Sequence, residues 1–259
     1  MNMSDLLVEK NGSVLLLTLN RPDRLNAFSA EMIHSLTKEI NNAKQDDSVR
    51  AVVLSGSGRS FSAGGDVKTM GEANGQHVYD HIGRLNECIN AFSTLEKPII
   101  AAVHGFAAGA AFNLALACDQ ILAAVDSKFV MSFSQVGLIS DGGGLYFLPR
   151  IIGPYKAKQL FFNAEPITAN QALEYGIVNK TVPAEQLKDE AISYAHKLSQ
   201  GPIKAYGMMK KIINSSATSN LDEILEQERI AQTLMISTED HQEGIHAFKD
   251  KRKPVFQGK

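Results

Sequence analysis

The chain has 259 residues, of which 44% are hydrophobic and 21% are charged, and its formal net charge is −2. This composition is typical of a soluble globular protein with a sizeable core. The sequence has no basic stripe, which argues against a nucleic-acid-binding function. Two cysteines, Cys88 and Cys118, are too few for a disulfide framework and predict buried free thiols in a reducing compartment.

Neither the N-terminus nor the most apolar segment favours a secreted or membrane protein. The first ten residues, MNMSDLLVEK, carry early acidic side chains and no apolar stretch of a secretory signal. Residues 99–117 are long enough to span a bilayer, but His104, Gly105 and Asn113 interrupt them, and Ala and Gly predominate over Leu. A buried strand, a tight turn and a closely packed helix fit this segment better. We therefore expect a cytoplasmic protein.

The first half of the chain alternates strands with helices. Asn11-Gly12 separates two strand patterns, at residues 6–9 and 14–19, and predicts a hairpin. Ser29 is a suitable N-cap for a helix that continues to about Gln45. The remaining pattern predicts a helix over residues 77–95 and strands over residues 49–54, 99–103, 121–125 and 129–132. This order predicts an α/β fold made of repeated ββα units with a parallel element.

The second half is predicted to be mainly helical. Its helices are predicted over residues 154–162, 168–175, 185–198, 202–213, 221–236 and 238–248, with one strand over 177–182. The composition shifts near residue 195 without a Pro-, Gly- or Ser-rich linker. We therefore divide the chain into a core of residues 1–195 and a helical C-terminal region of residues 196–259. This region is expected to pack on the same body or on a neighbouring subunit.

Two glycine-containing loops, each after a strand, can present backbone N–H groups. Residues 61–68 read FSAGGDVK and residues 104–111 read HGFAAGAA, so small side chains leave the main chain open to close approach. The second loop enters a helix, whose first turn has unpaired N–H donors. One donor from each loop would form an oxyanion hole for the enolate of a thioester. From spacing alone, two tight structural connections are the simpler interpretation.

Several motifs occur in order over nearly the whole chain: NRP at 20–22 with NAF at 26–28, FSAGGDVK at 61–68, KPIIAAVHG at 97–105, GLI at 137–139 with GGG at 142–144, LPR at 148–150, ALEYGIV at 172–178, and EGIHAF at 243–248 with KRKP at 251–254. Together they resemble the crotonase (enoyl-CoA hydratase/isomerase) superfamily. The resemblance implies a spiral of ββα units with a helical C-terminal region, assembled as a homotrimer or hexamer.

The resemblance also implies roles for individual residues. The oxyanion donors would be the backbone N–H groups of Gly65 and Ala110, and the backbone around Ala63 would meet the adenine. Arg24 and Lys68 would contact the CoA phosphates, although a solvated surface role is the simpler interpretation for both. The thioester and pantetheine would be lined by Gly65, Asp66, Val67 and Lys68. The resemblance implies no metal and no bound cofactor, since coenzyme A enters as part of the substrate.

The acid/base positions depart from the hydratase pattern. Hydratases of this superfamily resemble each other in two glutamates that hold one water, because hydration needs both a base and an acid. This chain has Asn113 and Phe133 at those positions, and neither side chain transfers a proton usefully. Asn113 is expected either to hydrogen-bond a ligand or water, or only to satisfy a backbone group inside the Ala-rich helix. Phe133 is expected to line the substrate site.

Asp141 is the remaining candidate for proton transfer. It lies in the sequence GLISDGGG at residues 137–144, where double-bond isomerases of the superfamily and the ring-epoxide isomerase of phenylacetate catabolism resemble this chain in carrying an acidic residue. Asp141 is also a suitable N-cap for a following helix. Its apolar surroundings predict a raised pKa. These apolar neighbours are Phe133, Leu138, Ile139, Leu145 and Phe147.

The resemblance and the single carboxylate together favour an enoyl-CoA isomerase-type enzyme. One group that removes a proton from one carbon and returns it to another suffices for that reaction. The alternatives are an enoyl-CoA hydratase that uses Asp141 alone or with water, and a CoA-thioester-binding subunit without strong activity. A dehalogenase is disfavoured because its relatives pair the Asp with a Trp, and this chain has no Trp.

Overall fold

A computed structural model describes residues 4–66 and 74–259 and shows a mixed α/β protein. The strands are β1 (Leu6–Asn11), β2 (Val14–Leu19), β3 (Ala51–Gly56), β4 (Ile99–Val103), β5 (Phe106–Ala108), β6 (Gln120–Ala124), β7 (Lys128–Val130), β8 (Ile167–Thr168) and β9 (Lys180–Val182). The larger sheet has six strands in the order β1-β2-β3-β4-β6-β9. Its β1–β2 pair is the predicted antiparallel hairpin, and its other pairs are parallel.

Ten α-helices are described: α1 (Ala30–Gln45), α2 (Gly75–Thr94), α3 (Ala110–Leu116), α4 (Gly144–Ile152), α5 (Pro154–Asn163), α6 (Ala169–Glu174), α7 (Leu187–Ser199), α8 (Ile203–Ser216), α9 (Leu221–Met235) and α10 (Glu239–Lys249). The cap predicted for α1 is confirmed, since Ser29 Oγ accepts a hydrogen bond from the Met32 N–H at 3.0 Å. Three short 3₁₀ helices cover Pro22–Arg24, Ser132–Val136 and Ala184–Gln186.

The large sheet separates two apolar layers. One face packs against α1, α2 and α3, and the main hydrophobic core lies there. The other face packs against α7 through Leu187, Ala191 and Ala195. Central strands such as β4 are buried throughout, as expected for parallel strands with helices on both faces.

Several features differ from the sequence-based prediction. A second, three-stranded sheet in the order β5-β7-β8 was not predicted, because its strands are only two or three residues long. Helix α4 was anticipated only through the candidate N-cap at Asp141, and its bounds were not predicted, since Gly144 begins it and Pro149 lies inside it, and both residues are poor helix formers. The strand predicted over residues 129–132 is shorter, because Ser132 begins a 3₁₀ helix.

The apolar segment of residues 99–117 folds as β4, β5 and α3. All seven residues of α3 are buried, and the Phe112 ring packs on Phe129 with centroids 5.1 Å apart. Within the part of the chain that is described, no helix is long and apolar enough to cross a membrane. Helix α3 is therefore an internal helix whose position is set by core packing.

The C-terminal helices contact the body of the same chain. The Lys210 Nζ in α8 donates to Asp119 Oδ2 at 2.9 Å and to the Phe92 carbonyl at 3.2 Å. Asp119 Oδ2 also accepts from the Ile99 N–H at 2.7 Å. Burial raises the pKa of Asp119, while Lys210 opposes that shift. One carboxylate thus connects α8 to the start of β4. The division of the chain at residue 195 stays a prediction.

Both cysteines are free thiols, as predicted. Cys88 is buried and Cys118 is partly buried. Burial raises the pKa of Cys88 to about 12 and also raises the pKa of Cys118. The thiols are therefore protonated at neutral pH, which makes them poor nucleophiles.

Replacing Asp119 tests how α8 is attached. We expect Asp119→Ala to lower the free energy of unfolding by about 1–3 kcal/mol, because the buried Ile99 N–H loses its acceptor. Asp119→Asn retains an acceptor oxygen and should lose less stability. Urea denaturation of the two variants measures the difference, and equal losses would show that this hydrogen bond contributes little.

Candidate active site

The two loops predicted to present N–H groups lie side by side. The Phe61 N–H donates to the His104 carbonyl at 2.7 Å, and the Ser62 N–H donates to the Phe106 carbonyl at 3.0 Å. The Ala108 N–H returns a bond to the Ser62 carbonyl at 3.1 Å. The loop after β3 is therefore held along β5 by main-chain hydrogen bonds, immediately before α3.

Gly64 allows a close approach between these loops. A Cβ at this position would lie 2.3 Å from the Ala108 carbonyl oxygen and 3.0 Å from the Ala110 nitrogen. Its φ of +80° is also one that side-chain-bearing residues rarely adopt. Only glycine fits here, and its absent side chain leaves the backbone of residue 64 in contact with the N-terminus of α3.

The N–H groups of Gly65 and Ala110 lie at this meeting point. Ala110 is the first residue of α3, so its N–H has no acceptor within the helix. Among the described residues, neither N–H donates a hydrogen bond to another part of the chain. The structure thus brings the two predicted oxyanion donors to adjoining segments, with Gly64 beside Ala110.

Asn26 holds the first of these loops, and the sequence-based prediction gave it no role. It is 0% exposed, and its Nδ2 donates to the carbonyls of Ser57, Ser60 and Phe61 at 2.8, 2.8 and 3.1 Å. Its Oδ1 accepts from the Arg21 N–H at 2.8 Å. Asn26 is the first residue of the NAF motif, but the carbonyls that accept from its Nδ2 are 31 to 35 residues away in the chain.

The described residues include only some of the predicted CoA contacts. Arg24 is on the surface with a 51% exposed side chain, and its Nη1 lies 3.9 Å from Asp66 Oδ2. Arg21 Nη2 lies 3.7 Å from the same oxygen. The Ala63 N–H donates to the Leu25 carbonyl at 2.8 Å, so this N–H is engaged within the protein. Val67 and Lys68 lie outside the described residues.

His104 has a structural role at the turn after β4. Its Nε2 lies 3.0 Å from the Gly58 carbonyl, which fastens the turn after β4 to the loop after β3. Phe133 lies in the 3₁₀ helix Ser132–Val136, where it packs against the main core. A ring carbon of Phe133 is 3.6 Å from where a Cβ on Gly109 would lie, so the ring adjoins the residue before Ala110.

Asp141 precedes α4 with its carboxylate withdrawn from solvent. Burial raises its pKa to about 6. Its Oδ1 is buried and has no hydrogen-bond partner in the described part of the chain. The interpretation of Asp141 as a helix N-cap is wrong, because Gly143 is the N-cap residue of α4 and Asp141 contributes only its carbonyl, to the Gly144 N–H at 3.2 Å.

Apolar side chains of α2 lie beside Gly142, the residue after Asp141, and were not among the predicted apolar neighbours. A Cβ on Gly142 would lie 3.6 Å from Leu85 and 3.9 Å from Ile89. By contrast, Leu138 is half exposed and Ile139 is 82% exposed. The predicted increase in pKa is confirmed in direction, but the predicted cause is partly wrong, because no local pattern indicates that α2 crosses at this point.

Asn113 satisfies a backbone group, but one outside α3, whereas the prediction placed that group inside the Ala-rich helix. Its Nδ2 donates to the Asp141 carbonyl at 2.7 Å and to Ser140 Oγ at 3.0 Å. The carbonyl belongs to the loop before α4, not to α3. The amide therefore connects the helix that begins at Ala110 with the loop that carries Asp141.

A matched pair of glycine substitutions tests the close approach at Gly64. Gly64→Ala should lower turnover about 100-fold, because the new Cβ displaces the Ala108 carbonyl and the Ala110 N–H. Gly153→Ala is the control, since its φ of +77° imposes similar backbone strain with nothing within 4 Å of the added Cβ. Steady-state kinetics at equal folded concentration make the comparison, and equal loss in both variants would show that the close approach does not matter.

Comparisons with known proteins agree with this architecture. The family model for enoyl-CoA hydratase/isomerase matches residues 9–259. The chain is 40% identical to the 1,2-epoxyphenylacetyl-CoA isomerase of Escherichia coli, over 97% of both chains. It is 34% identical to the trans-2-decenoyl-[acyl-carrier-protein] isomerase of Streptococcus mutans, over 100% of both. The crystal structure of an enoyl-CoA hydratase from Bacillus anthracis superposes with a TM-score of 0.94 at 31% identity, covering 98% of this chain and 100% of that one.

Proposed function

The chain belongs to the enoyl-CoA hydratase/isomerase family, and we propose that within it the protein is an enoyl-CoA isomerase that uses Asp141 as its single acid/base group. The observation that carries this proposal is the Asp141 carboxylate, which is desolvated and has an unpartnered Oδ1 among the described residues. A carboxylate with a raised pKa is a stronger base than one in water.

The reaction needs one proton acceptor and one site for negative charge. The thioester oxygen of a 3-enoyl-CoA binds between the N–H groups of Gly65 and Ala110, and Asp141 removes a proton from C2. The electron pair delocalises through the double bond to give a dienolate, whose oxygen the two N–H groups stabilise. Asp141 then returns the proton to C4, which leaves the double bond between C2 and C3.

Hydration would require a further proton-transfer group. The positions of the two hydratase glutamates hold Asn113 and Phe133, and Asn113 already uses its Nδ2 on the Asp141 carbonyl and Ser140 Oγ. A neutral amide and a phenyl ring supply neither acid nor base. These two side chains therefore favour isomerisation, although relatives of both kinds exist in the family.

Exposed apolar side chains in the segment before Asp141 support an apolar acyl group as the substrate. Val136, Leu138 and Ile139 expose large apolar side chains directly before Asp141 in the chain. Covering such surface is favourable, at about 25 cal/mol per Å². Coenzyme A is carried by the substrate, with Arg24 as a contact for its phosphates. We further propose a cytoplasmic homotrimer or hexamer, as the resemblance implies.

The Asp141→Asn variant tests the assigned base. It should lower the rate of 3-hexenoyl-CoA isomerisation by about 100-fold or more, because the amide cannot accept the C2 proton. Binding of the thioester should persist, since Gly65 and Ala110 are unchanged. Unaltered turnover in this variant would exclude Asp141 as the base.

The pH profile provides a separate test of the same residue. Asp141 is protonated below its pKa of about 6 and is then unable to accept a proton. In the wild-type protein kcat/KM should therefore rise with pH through about 6 and level off above it. A profile that is flat between about pH 5 and 7 would contradict the assignment.

A further inference from the structure

Asn113 is a buried amide beside the proposed base. Its hydrogen bonds differ from those of a side chain that only fills space in the core. It is 0% exposed in a helix of seven buried residues, and the other six are apolar. Burying an amide is costly unless its hydrogen bonds are made. Its Nδ2 makes two bonds, but its Oδ1 has no partner among the described residues.

Both bonds of the amide go to the segment that carries Asp141. Nδ2 donates to the Asp141 carbonyl at 2.7 Å and to Ser140 Oγ at 3.0 Å, and Ser140 Oγ in turn lies 3.4 Å from that carbonyl. The main chain of Asp141 is thereby fixed on the side facing α3. The carboxylate extends from this fixed point, and in the described part of the chain its Oδ1 has no side-chain partner of its own.

Gly144 provides the space for this amide. A Cβ on Gly144 would lie 2.3 Å from Asn113 Oδ1 and 2.5 Å from Ser140 Oγ. The first residue of α4 therefore has to be glycine for reasons of space, and the Asn113 side chain lies directly over it. A side chain here would push the amide away from the Asp141 carbonyl.

Helix α3 carries both a proposed oxyanion donor and the amide that holds the main chain of Asp141. Ala110, whose N–H is a proposed oxyanion donor, and Asn113 are three residues apart in α3, or about 4.5 Å along the helix axis. Because α3 is buried on all sides, neither residue can move alone. The distance between the oxyanion site and the main chain of Asp141 therefore depends on less than one turn of α3 and on the two hydrogen bonds that Asn113 Nδ2 donates.

We propose that Asn113 is a positioning residue, which holds Asp141 at a fixed distance from the oxyanion site through its Nδ2 hydrogen bonds. The inference rests on the proposed function of Asp141. Asn113 itself transfers no proton. A misplacement of about 1 Å at a reacting group costs on the order of a hundredfold in rate, so loss of these bonds should be visible in kcat.

The Asn113→Leu variant removes the donors and keeps the branched shape of the side chain. With 3-hexenoyl-CoA as substrate, kcat should fall about ten- to a hundredfold while KM stays within about twofold, because the thioester contacts are intact. The control is Asn179→Ala, which removes a structural bond from Ile121 N–H to Asn179 Oδ1 at 2.7 Å, away from the site. At equal folded concentration, the control should retain the wild-type kcat.

A double-mutant cycle separates positioning from general damage. If Asn113 acts through Asp141, Asn113→Leu should lower the residual rate of Asp141→Asn by less than about twofold. A full additional loss in the double variant, or a wild-type kcat in Asn113→Leu, would overturn the inference. Should Asn113→Leu fail to fold, Gly144→Ala should give the same kcat loss and the same cycle, since its Cβ displaces the amide. An unimpaired Asp141→Asn variant would instead refute the proposed function.

Discussion

The candidate site depends on the close approach of two main-chain segments at Gly64. There the loop after β3 meets the turn into α3 so closely that a Cβ would lie 2.3 Å from the Ala108 carbonyl. Backbone groups held this rigidly make effective oxyanion donors, because they do not reorganise as charge develops. The contact is maintained from both sides, by the main-chain bonds to β5 and by the three carbonyls that accept from Asn26.

A second constraint places the carboxylate. Asn113 of α3 holds the Asp141 carbonyl, and Leu85 and Ile89 of α2 flank Gly142, the next residue. Burial raises its pKa to about 6, so at neutral pH it is still ionised but is more basic than a solvated aspartate. Such a group, together with the two proposed N–H donors, suits the removal and return of one proton that we propose. The family uses this scaffold for several reactions, and the side chains around it decide among them.

Local sequence signals predicted much of the fold. Ser29 and the apolar spacing after it predicted α1 correctly, and Asn11-Gly12 predicted the first hairpin, because caps and turns depend on neighbouring residues. The two loops and Asp141 were located through their resemblance to a family. No sequence pattern indicated the contact of Asn113 with residue 141, which is 28 positions away, or the crossing of α2 beside Gly142. Contacts of this kind arise from tertiary packing and leave no local periodic signal.

The most direct test of one-base isomerisation is proton exchange in deuterated water, followed by NMR on 3-hexenoyl-CoA, with crotonyl-CoA hydration assayed alongside. One-base isomerisation predicts deuterium at C2 and C4 together with double-bond migration, and hydration slower by a large factor. Rapid hydration of crotonyl-CoA without exchange at C4 would contradict it. That result would mean that a second proton-transfer group acts at this site and that Asp141 alone does not determine the reaction.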